Sequence, residues 1–112
     1  MSTVPSVTPF QSRVYTLLST VPKGRITTYA ELAKGLGIHS PRAIGQALKK
    51  NPYAPTVPCH RVISSDGTIG GFMGKRDGLE IKKKMNLLVS EGVVIDGTRI
   101  RDFKTILFTF SK

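Results

Sequence analysis

The sequence of 112 residues predicts one small domain of mainly α structure with small β elements, of the winged-helix type and containing a helix-turn-helix. The first half contains three helical patterns that begin at capping residues. The second and third of these helices are short and are joined by a tight turn that contains glycine, which is typical of a helix-turn-helix. A β-hairpin pattern follows in the second half, and a hairpin beside a helix-turn-helix is typical of a wing.

The first helix begins at a capping box after a loose N-terminus. Residues 1–7 are polar and contain proline, so we expect a flexible tail, followed by a single domain over 8–112. Thr8 is the N-cap, Pro9 occupies the first helical position and Gln11 occupies the third. Apolar residues then recur at helical spacing and predict a stripe that faces the core: Phe10, Val14, Leu17, Leu18 and Val21.

The next two helices form the predicted helix-turn-helix. After a break at "VPKG" and a very short strand at "RIT", Thr28 as N-cap and Glu31 three residues later form a second capping box. The helix "YAELAKGL" follows and ends at its glycines. Ser40 and the proline after it start the third helix, "RAIGQALKK", which stops at Asn51–Pro52.

Short β elements and one more helix are predicted after an irregular, proline-containing segment. "HRVI" and "TIGGF" have the composition of two strands, and "SSDG" between them is a hairpin turn signal. Asp77 and Glu80 are candidate caps of a last helix over about 78–91, which Gly92 ends. "VVIDGTRI" predicts a second hairpin around Asp96–Gly97, and "TILFTF" predicts a closing strand. The apolar face of the last helix contains Ile81, Met85 and Leu88.

The excess of positive charge favours nucleic acid as a partner. Seventeen Lys and Arg residues against seven Asp and Glu residues give a net charge of +10 and a pI near 10.2. So strong an excess on a small domain is typical of a nucleic-acid binder. Part of it lies in the segment "KRDGLEIKKK", which the residues alone equally allow to be the solvated face of one helix.

The third helix is the candidate DNA-contacting helix, since the second helix of a helix-turn-helix normally lies in a DNA groove. It carries Arg42, Lys49 and Lys50. Its small residues, such as Ala43 and Gly45, let the backbone come close to a target but leave few side chains to read base edges. We therefore expect phosphate contacts and little sequence specificity. The spacing of the alanines equally allows them to face the core.

The composition also indicates where the protein acts. No window approaches the roughly 20 apolar residues of a membrane span. No basic stretch followed by an apolar run marks a secretory signal at the N-terminus. A single cysteine excludes an internal disulfide framework and suits a reducing compartment. We therefore expect an intracellular protein, in the cytoplasm or nucleus, that does not bind membranes.

The stretch "TVPCHRVISS" holds that only cysteine, Cys59, between a proline and His60. A thiol attacks as a thiolate and therefore needs a base or a positive environment. Adjacent residues of an extended chain point to opposite sides, so Cys59 and His60 could interact only through a turn or a bridging water. Glu91 is one of the few acids available to orient the imidazole.

Other interpretations of Cys59 stay open from the residues alone. A buried thiol can act simply as a small hydrophobic side chain. One Cys with His39 and His60 falls short of the four ligands of a zinc site, so we expect no metal. A cysteine protease would need a substrate cleft for which this chain has little room, and it would leave the charge unexplained.

Several segments together resemble one known family. They are "PCHRVI" preceded by "NP", "GQALKKNP" upstream, and "GTIGGF" and "SEG" downstream. These motifs resemble the O6-alkylguanine-DNA alkyltransferases, also called methylated-DNA–protein-cysteine methyltransferases, over most of the chain. The resemblance implies a helix-turn-helix domain with a wing, which binds the minor groove of duplex DNA and flips the damaged guanine into a pocket.

The resemblance also implies a catalytic role for five residues. Cys59 would be the nucleophile that takes the alkyl group from guanine O6, and His60 would be its base, acting through a water. Glu91 would orient the imidazole. Asn51 would hold the active-site loop through hydrogen bonds. Tyr29 would press on the target phosphate and could give a proton to the departing guanine.

Further residues are implied for binding. Arg42 would fill the gap that the flipped base leaves in the stack. The other DNA contacts would come from Ala43, Gly45, Lys49, Lys50 and Arg61. The pocket would be lined by Val62, Gly71, Phe72 and Met73. Many members carry a tyrosine and then a small residue where this chain has "FM", so the pocket shape and the adducts accepted are expected to differ.

Two functions follow from the resemblance. The first is a monomeric repair protein that transfers the alkyl group from O6-alkylguanine in double-stranded DNA to its own cysteine, once and irreversibly, without a cofactor. The second is a non-catalytic alkyltransferase-like protein that only binds damaged DNA. The residues alone equally allow Tyr29 to pack on the core, Arg42 to be a surface charge and Asn51 to end a helix.

Overall fold

The computed structural model describes residues 6–72 and 78–110. Within them, the chain is mainly helical and has two small sheets of two strands each, which confirms the predicted fold class. None of the described helices is both long and apolar enough to cross a membrane. The elements in chain order are α1 (Pro9–Leu18), β1 (Thr27–Thr28), α2 (Tyr29–Gly35), α3 (Pro41–Lys49), a 3₁₀ turn (Cys59–Arg61), β2 (Val62–Ile63), α4 (Leu79–Ser90), β3 (Ile95–Asp96), β4 (Arg99–Ile100) and α5 (Phe103–Ile106).

The capping residues start the first three helices as predicted, with one difference. In α1 the Thr8 hydroxyl accepts a hydrogen bond from the Gln11 N–H at 3.0 Å, and the Gln11 side chain accepts one from the Thr8 N–H at 3.1 Å. Ser40 caps α3 through its hydroxyl. At α2 only half of the predicted capping box forms, because the Glu31 carboxylate accepts from the backbone N–H of Phe110 at 3.2 Å instead.

The three N-terminal helices pack into the main core. Within the predicted α1 stripe, Val14, Leu18 and Val21 are buried, whereas Phe10 and Leu17 are partly buried against the same core. Tyr15, outside that stripe, is also buried, and its hydroxyl donates to the carbonyl of Ala47 at 2.6 Å. This bond joins α1 to α3 beneath the helix-turn-helix. The main core also includes Ile44, Leu48, Val57, Cys59, Val62 and Phe72.

The first predicted hairpin is wrong in its pairing. Because Cys59–Arg61 forms a 3₁₀ turn, only Val62–Ile63 is left as a strand, and this strand pairs in parallel with Thr27–Thr28. Thr68 forms an isolated bridge with Arg99 instead. The turn itself is confirmed, since the Ser64 N–H donates to the Thr68 carbonyl at 3.0 Å across it. The backbone groups that a local hairpin would pair with each other are thus paired with distant segments, β1 and Arg99.

The last long helix and the second hairpin are close to expectation. α4 begins after Gly78, which has no side chain to cap it; Asp77 lies outside the described residues, and Glu80 makes an ion pair with Lys83 at 3.7 Å rather than a cap. Gly92 ends the helix with a φ of +94°, a conformation that favours glycine. The antiparallel pairing of β3 with β4 confirms the second hairpin. Leu88 is buried, and Ile81 and Met85 are partly buried.

The predicted closing strand is wrong over its first part, which forms α5. The chain then returns to β1, where the Ile26 N–H donates to the Ile106 carbonyl at 3.1 Å and the Phe108 N–H donates to the Ile26 carbonyl at 2.6 Å. The Thr27 hydroxyl donates to the Phe108 carbonyl at 2.9 Å. This return closes a second core, which contains Ile26, Ile63, Ile69, Leu88, Val93 and Ile100.

Candidate active site

Cys59 is part of the main core. It is the first residue of the 3₁₀ turn that links the loop after α3 to β2, and its N–H donates to the Val57 carbonyl at 2.8 Å. Its residue surface is 5% exposed. Because the turn interrupts an extended backbone, the side chains of consecutive residues here do not have to alternate between two faces. The turn that Cys59 and His60 were expected to need is therefore present.

The Glu91 carboxylate contacts both residues that follow the cysteine, His60 and Arg61. Its Oε2 lies 2.9 Å from the Nε2 of His60, and both side chains are almost fully buried. The guanidinium of Arg61 approaches the same carboxylate with two nitrogens, at 2.9 Å and 2.7 Å. A third nitrogen donates to the Val21 carbonyl at 2.8 Å. Such a bidentate pair fixes both position and charge.

Arg61 was expected to contact DNA, but in this geometry its side chain is bound within the protein. Its side chain is only 15% exposed, and its guanidinium is occupied by Glu91 and by the Val21 carbonyl. A guanidinium that neutralises a buried carboxylate is not available for a phosphate. Arg61 instead stabilises the acid that orients His60.

The protonation states of the Glu91–His60 pair follow from this arrangement. Burial by itself would raise the pKa of Glu91, but the hydrogen bonds from Arg61 and His60 outweigh it and hold the pKa below its ordinary value. Burial lowers the pKa of His60, although the hydrogen bond to Glu91 opposes it. At neutral pH the pair is therefore a carboxylate and a neutral imidazole.

The tautomer of His60 leaves one nitrogen available as a base. A carboxylate only accepts hydrogen bonds, so the Nε2 facing Glu91 carries the proton of the neutral ring. The other nitrogen, Nδ1, then carries the lone pair. Within the described part of the chain, Nδ1 is buried and has no hydrogen-bond partner. Because a buried polar atom without a partner is costly, this atom marks a place where a further polar group fits.

Asn51 holds the loop that carries the cysteine. It is 3% exposed, its amide nitrogen donates to the Val57 carbonyl at 3.0 Å, and its amide oxygen accepts from the Tyr53 N–H at 2.9 Å. Burial raises the pKa of Cys59, and a hydrogen bond from Asn51 and the nearby charge of Lys84 both oppose that rise. The cysteine of the resting protein is therefore a thiol at neutral pH.

Lys84 is a residue of this site that the sequence reasoning missed. It belongs to the basic run that was interpreted as either a nucleic-acid contact or a solvated face, yet it is 0% exposed. One signal was available, because Lys84 falls at helical spacing between Ile81 and Leu88 on the apolar face of α4. Because a lysine is charged, it was not counted among the residues of the apolar face.

The expected pocket residues lie around the turn. Val62 is fully buried in β2, Gly71 is half-buried and Phe72 is 7% exposed; Met73 lies outside the described residues. Phe72 forms part of the lining of a groove of about 620 Å³, together with Ala54, Pro55 and Leu87. The groove therefore runs between the loop that Asn51 holds and α4.

The expected DNA-contacting residues divide into two groups. Arg42 and Lys49 are exposed on α3 and Lys50 is exposed at its C-cap, while Ala43 and Gly45 are half-buried. A Cβ added to Gly45 would meet nothing within 4 Å, so this part of the helix surface is open. Ala47 is buried in the main core, as the alternative interpretation of the alanine spacing expected.

Tyr29 lies at the first position of α2 and is half-buried against the main core. Its ring lies close to the loop before Phe72, since a Cβ added to Gly70 would be 3.8 Å from the ring atom Cε2. Tyr29 thus lies beside the segment that leads to the expected pocket residues. Among the described residues, no group of three or more His, Cys, Asp or Glu side chains is placed to hold a metal ion.

Comparison with known proteins identifies the family. The family described as "6-O-methylguanine DNA methyltransferase, DNA binding domain" matches residues 9–93. Methylated-DNA–protein-cysteine methyltransferases of Methanothermobacter thermautotrophicus and Thermococcus sibiricus are 44% and 52% identical to the chain, over 80% and 77% of its length. The matches cover 48% and 46% of those relatives, so the chain spans about half their length.

Two solved structures of DNA complexes are also similar. Mycobacterium tuberculosis OGT in complex with DNA has a TM-score of 0.69 and 40% identity, over 77% of this chain and 51% of that one. S. pombe Atl1, in complex with damaged DNA containing O6-carboxymethylguanine, has a TM-score of 0.75 and 32% identity, over 89% of this chain and 94% of that one. The protein described here therefore belongs to the 6-O-methylguanine DNA methyltransferase family and contains the DNA-binding domain of that family.

Proposed function

We propose that the protein repairs DNA by transferring the alkyl group of O6-alkylguanine to the sulfur of Cys59. The observation that carries the proposal is a neutral, buried His60 whose Nε2 is held by Glu91 and whose Nδ1 is left as an acceptor, on the same short turn as the thiol. A thiol with a raised pKa needs such a base, and the base is oriented by a third group in the way that nucleophilic sites require.

The transfer is a displacement at carbon. The thiol proton passes to Nδ1 of His60 through one water molecule, and Glu91 stabilises the imidazolium that results. The sulfur then forms a bond to the alkyl carbon while the bond from that carbon to guanine O6 breaks. The electron pair stays on the departing guanine, to which the phenol of Tyr29 gives a proton. A thioether is stable in water, so the protein acts once, and the reaction uses no cofactor.

Duplex DNA binds to the exposed face of α3 in this proposal. The chain carries a net charge of +10, and Arg42, Lys49 and Lys50 present cations on that face. The small side chain of Ala43 and the open surface at Gly45 allow a close approach to the minor groove with little sequence readout. A base inside a duplex is out of reach, so the guanine must be flipped, at a cost of a few kcal/mol.

The flipped guanine enters beside Phe72 in this proposal. The groove between the loop at Ala54–Pro55 and α4 is lined by Phe72 and has room for a nucleobase. Val62 and Gly71 lie between Cys59 and Phe72 along the chain, and Met73 follows Phe72 directly. We assign these four residues to the substrate pocket. The pocket belongs to a single domain that begins at residue 8, and the protein acts as a monomer.

The location of the protein follows from its nucleophile. A reactive thiol has to stay reduced until it meets damaged DNA. We therefore place the protein in a reducing compartment that contains DNA, the cytoplasm or the nucleus.

Mass spectrometry tests the proposed function directly. The wild-type protein is incubated with a duplex that contains O6-methylguanine, and the intact protein and its peptides are weighed. The expected result is one added methyl group on the peptide that contains Cys59, and no added mass in Cys59→Ala. A wild-type protein that binds the duplex but gains no mass would contradict transfer.

That outcome would support the second candidate, a protein that only binds alkylated DNA. The match with S. pombe Atl1 over 94% of that chain, with a TM-score of 0.75, favours this candidate. Alkyltransferase-like relatives replace the cysteine, commonly with tryptophan, whereas this chain retains Cys59 with His60 and Glu91 around it. Transfer is therefore the function that the site supports best.

Arg42→Ala tests base flipping. Because the guanidinium fills the gap in the stack, the variant should transfer from a duplex about tenfold more slowly than the wild type but from the free alkylated base at the same rate. Single-turnover rates with saturating duplex and with free O6-alkylguanine measure the two values. Lys49→Ala is the matched control, since it removes one charge from the same helix and should weaken only duplex binding. Equal losses on both substrates in Arg42→Ala would refute the stacking role.

A further inference from the structure

The C-terminal hairpin pairs with the segment that follows the turn after β2. The Ile69 N–H donates to the Thr98 carbonyl at 2.9 Å, and the Ile100 N–H donates to the Gly67 carbonyl at 2.9 Å. We call residues 64–69 together with the β3–β4 hairpin the wing. The hairpin lies beyond the residues that the family match covers, so that match does not describe this part of the wing.

The wing begins beside the helix-turn-helix. β1 and β2 pair in parallel, with Thr28 opposite Ile63, so the chain leaves both strands at the same end of their sheet. After β1 the next residue is Tyr29, the first of α2, and after β2 it is Ser64, the first of the wing. A Cβ added to Gly70, just after residues 64–69, would lie 3.8 Å from the Tyr29 ring. The wing is therefore next to the first residue of the helix-turn-helix.

The C-terminal part of the chain holds the tip of the wing. Gly67 is buried with a φ of +89°, and a Cβ there would lie 3.2 Å from the Phe103 ring, so a side chain would be strained. Nη1 of Arg99 donates to the Asp66 carbonyl at 3.1 Å. The backbone of Arg99 also forms a bridge with Thr68. Arg99 is thus fixed at the tip through both its backbone and its side chain.

Arg99 carries an exposed positive charge that forms no ion pair within the described part of the chain. Asp96 lies opposite Arg99 in the β3–β4 register, but its carboxylate accepts two bonds of 2.8 Å from Arg101. The Asp66 carboxylate accepts from the Thr68 N–H at 3.0 Å and from its hydroxyl at 2.7 Å. A guanidinium has five N–H donors, so Arg99 can bind a further acceptor besides the Asp66 carbonyl.

We propose that the wing is a second DNA-binding surface, on which Arg99 binds a phosphate of the DNA backbone. The inference rests on the proposed binding of duplex DNA to α3, and it concerns binding alone. A guanidinium matches the oxygens of a phosphate with two parallel N–H bonds. Because the wing begins beside Tyr29, its tip lies close to the nucleotide on which Tyr29 acts in the proposed function. A phosphate contact there positions the duplex without reading its sequence.

The salt dependence of duplex binding tests this contact. Each phosphate that a protein neutralises steepens the fall of log K with log salt by about 0.9. In Arg99→Gln this slope should be smaller by about 0.9, so the affinity advantage of the wild type should shrink about three- to fourfold between roughly 50 and 200 mM salt. Arg99→Lys keeps the charge and should keep the wild-type slope. Fluorescence anisotropy with an unmodified duplex and with an O6-methylguanine duplex measures these slopes.

Two further variants are the controls. The double variant Asp96→Asn/Arg101→Gln removes a neighbouring ion pair of the same hairpin without changing the net charge, so it should bind as the wild type does. Lys49→Gln removes an exposed cation of α3 and should also lower the slope by about 0.9. Circular dichroism and thermal unfolding establish that each variant is folded.

Duplexes with one neutral phosphate locate the contact. A single phosphate is replaced by an uncharged methylphosphonate, and the replaced position is moved along both strands around the lesion. At one position we expect the wild type to lose at least about threefold in affinity, whereas Arg99→Gln should be unaffected by the same replacement. A charge that acts only at long range would not depend on one particular phosphate.

The outcomes distinguish this inference from the proposed function. If Arg99→Gln keeps the wild-type slope while Lys49→Gln lowers it, the wing contact is refuted and DNA binding by α3 stands. The absence of any phosphate whose replacement affects the wild type but not Arg99→Gln would likewise refute the contact. A wild-type protein that gains no methyl group, together with a lowered slope in Arg99→Gln, would refute alkyl transfer and support the wing contact.

Discussion

Glu91→Gln is expected to lower the rate of methyl transfer by about a hundredfold or more. The carboxylate accepts from Nε2 of His60 at 2.9 Å and so keeps the lone pair on Nδ1. A glutamine amide can donate to Nε2, which would place the proton of the neutral ring on Nδ1 and remove the base. It would also leave the imidazolium without its counter-charge and the guanidinium of Arg61 without its carboxylate.

Single-turnover kinetics at saturating duplex measure this effect. Asp96→Asn is the control, since Asp96 is an exposed acid of β3 whose partner is Arg101 at the surface, away from the groove beside Phe72. Duplex binding should change by no more than about twofold in either variant, because Glu91 lies inside the protein. If Glu91→Gln transferred as fast as Asp96→Asn, the role of Glu91 in orienting the base would be wrong.

The same variant should change how the stability depends on pH. The pKa of Glu91 is lower in the folded protein than its ordinary value of 4.5, so its stabilisation is present above that value and is lost as the pH falls through the folded pKa. The pKa of His60 is also lowered, so protons bind the unfolded chain first as the pH falls below 6.5, which destabilises the folded state. The stability difference between wild type and Glu91→Gln, from urea unfolding, should therefore shrink below pH 4.5.

Ending the chain after Val93 is expected to abolish cooperative unfolding. The family match stops at residue 93, yet the segment 94–110 covers the second core. Ile26, Ile63 and Leu88 are fully buried there, and exposing such side chains costs about 1.5–3 kcal/mol each. The backbone bonds from Ile26 to the returning chain are lost as well. Together these losses match the whole stability of a typical domain, about 5–15 kcal/mol.

Thermal and urea unfolding followed by circular dichroism measure the effect of this truncation. Ending the chain after Phe110 is the control, since it leaves every described contact of the second core in place, and that protein should unfold as cooperatively as the full chain. A sharp unfolding transition of the chain that ends at Val93 would show that the segment 94–110 is an accessory to the domain rather than part of its core.

Local signals in the sequence predicted local structure well. The hydroxyls of Thr8 and Ser40 begin their helices as expected, because an N-cap depends only on the next three residues. The strand partners of Val62–Ile63 could not be predicted in this way. Which edge a short strand pairs with is decided by the packing of segments far apart in the chain, and here the distant β1 prevails over a local hairpin.

The candidate site likewise contains residues that the sequence predicted and residues that depend on distant partners. The motif around Cys59 and its family resemblance lead to His60, Glu91 and Asn51, all of which the structure places around the turn. Two basic residues lie elsewhere than expected. Arg61 was a DNA contact implied by the resemblance, and a buried carboxylate holds it. Lys84 belongs to a basic run interpreted as a nucleic-acid contact or a solvated face, and three backbone carbonyls hold it. The burial of a charged residue can be predicted only when the groups that bind its charge are known.

The return of the chain to β1 has a consequence for synthesis. Arg25 donates to the Ile106 carbonyl, a bond between residues 81 positions apart. Contacts of such large sequence separation form late, because the intervening chain has to be ordered first. On a ribosome, the second core therefore stays open until residue 108 has emerged from the exit tunnel. Until then the buried side chains of Ile26, Ile63 and Leu88 have no cover from the returning chain.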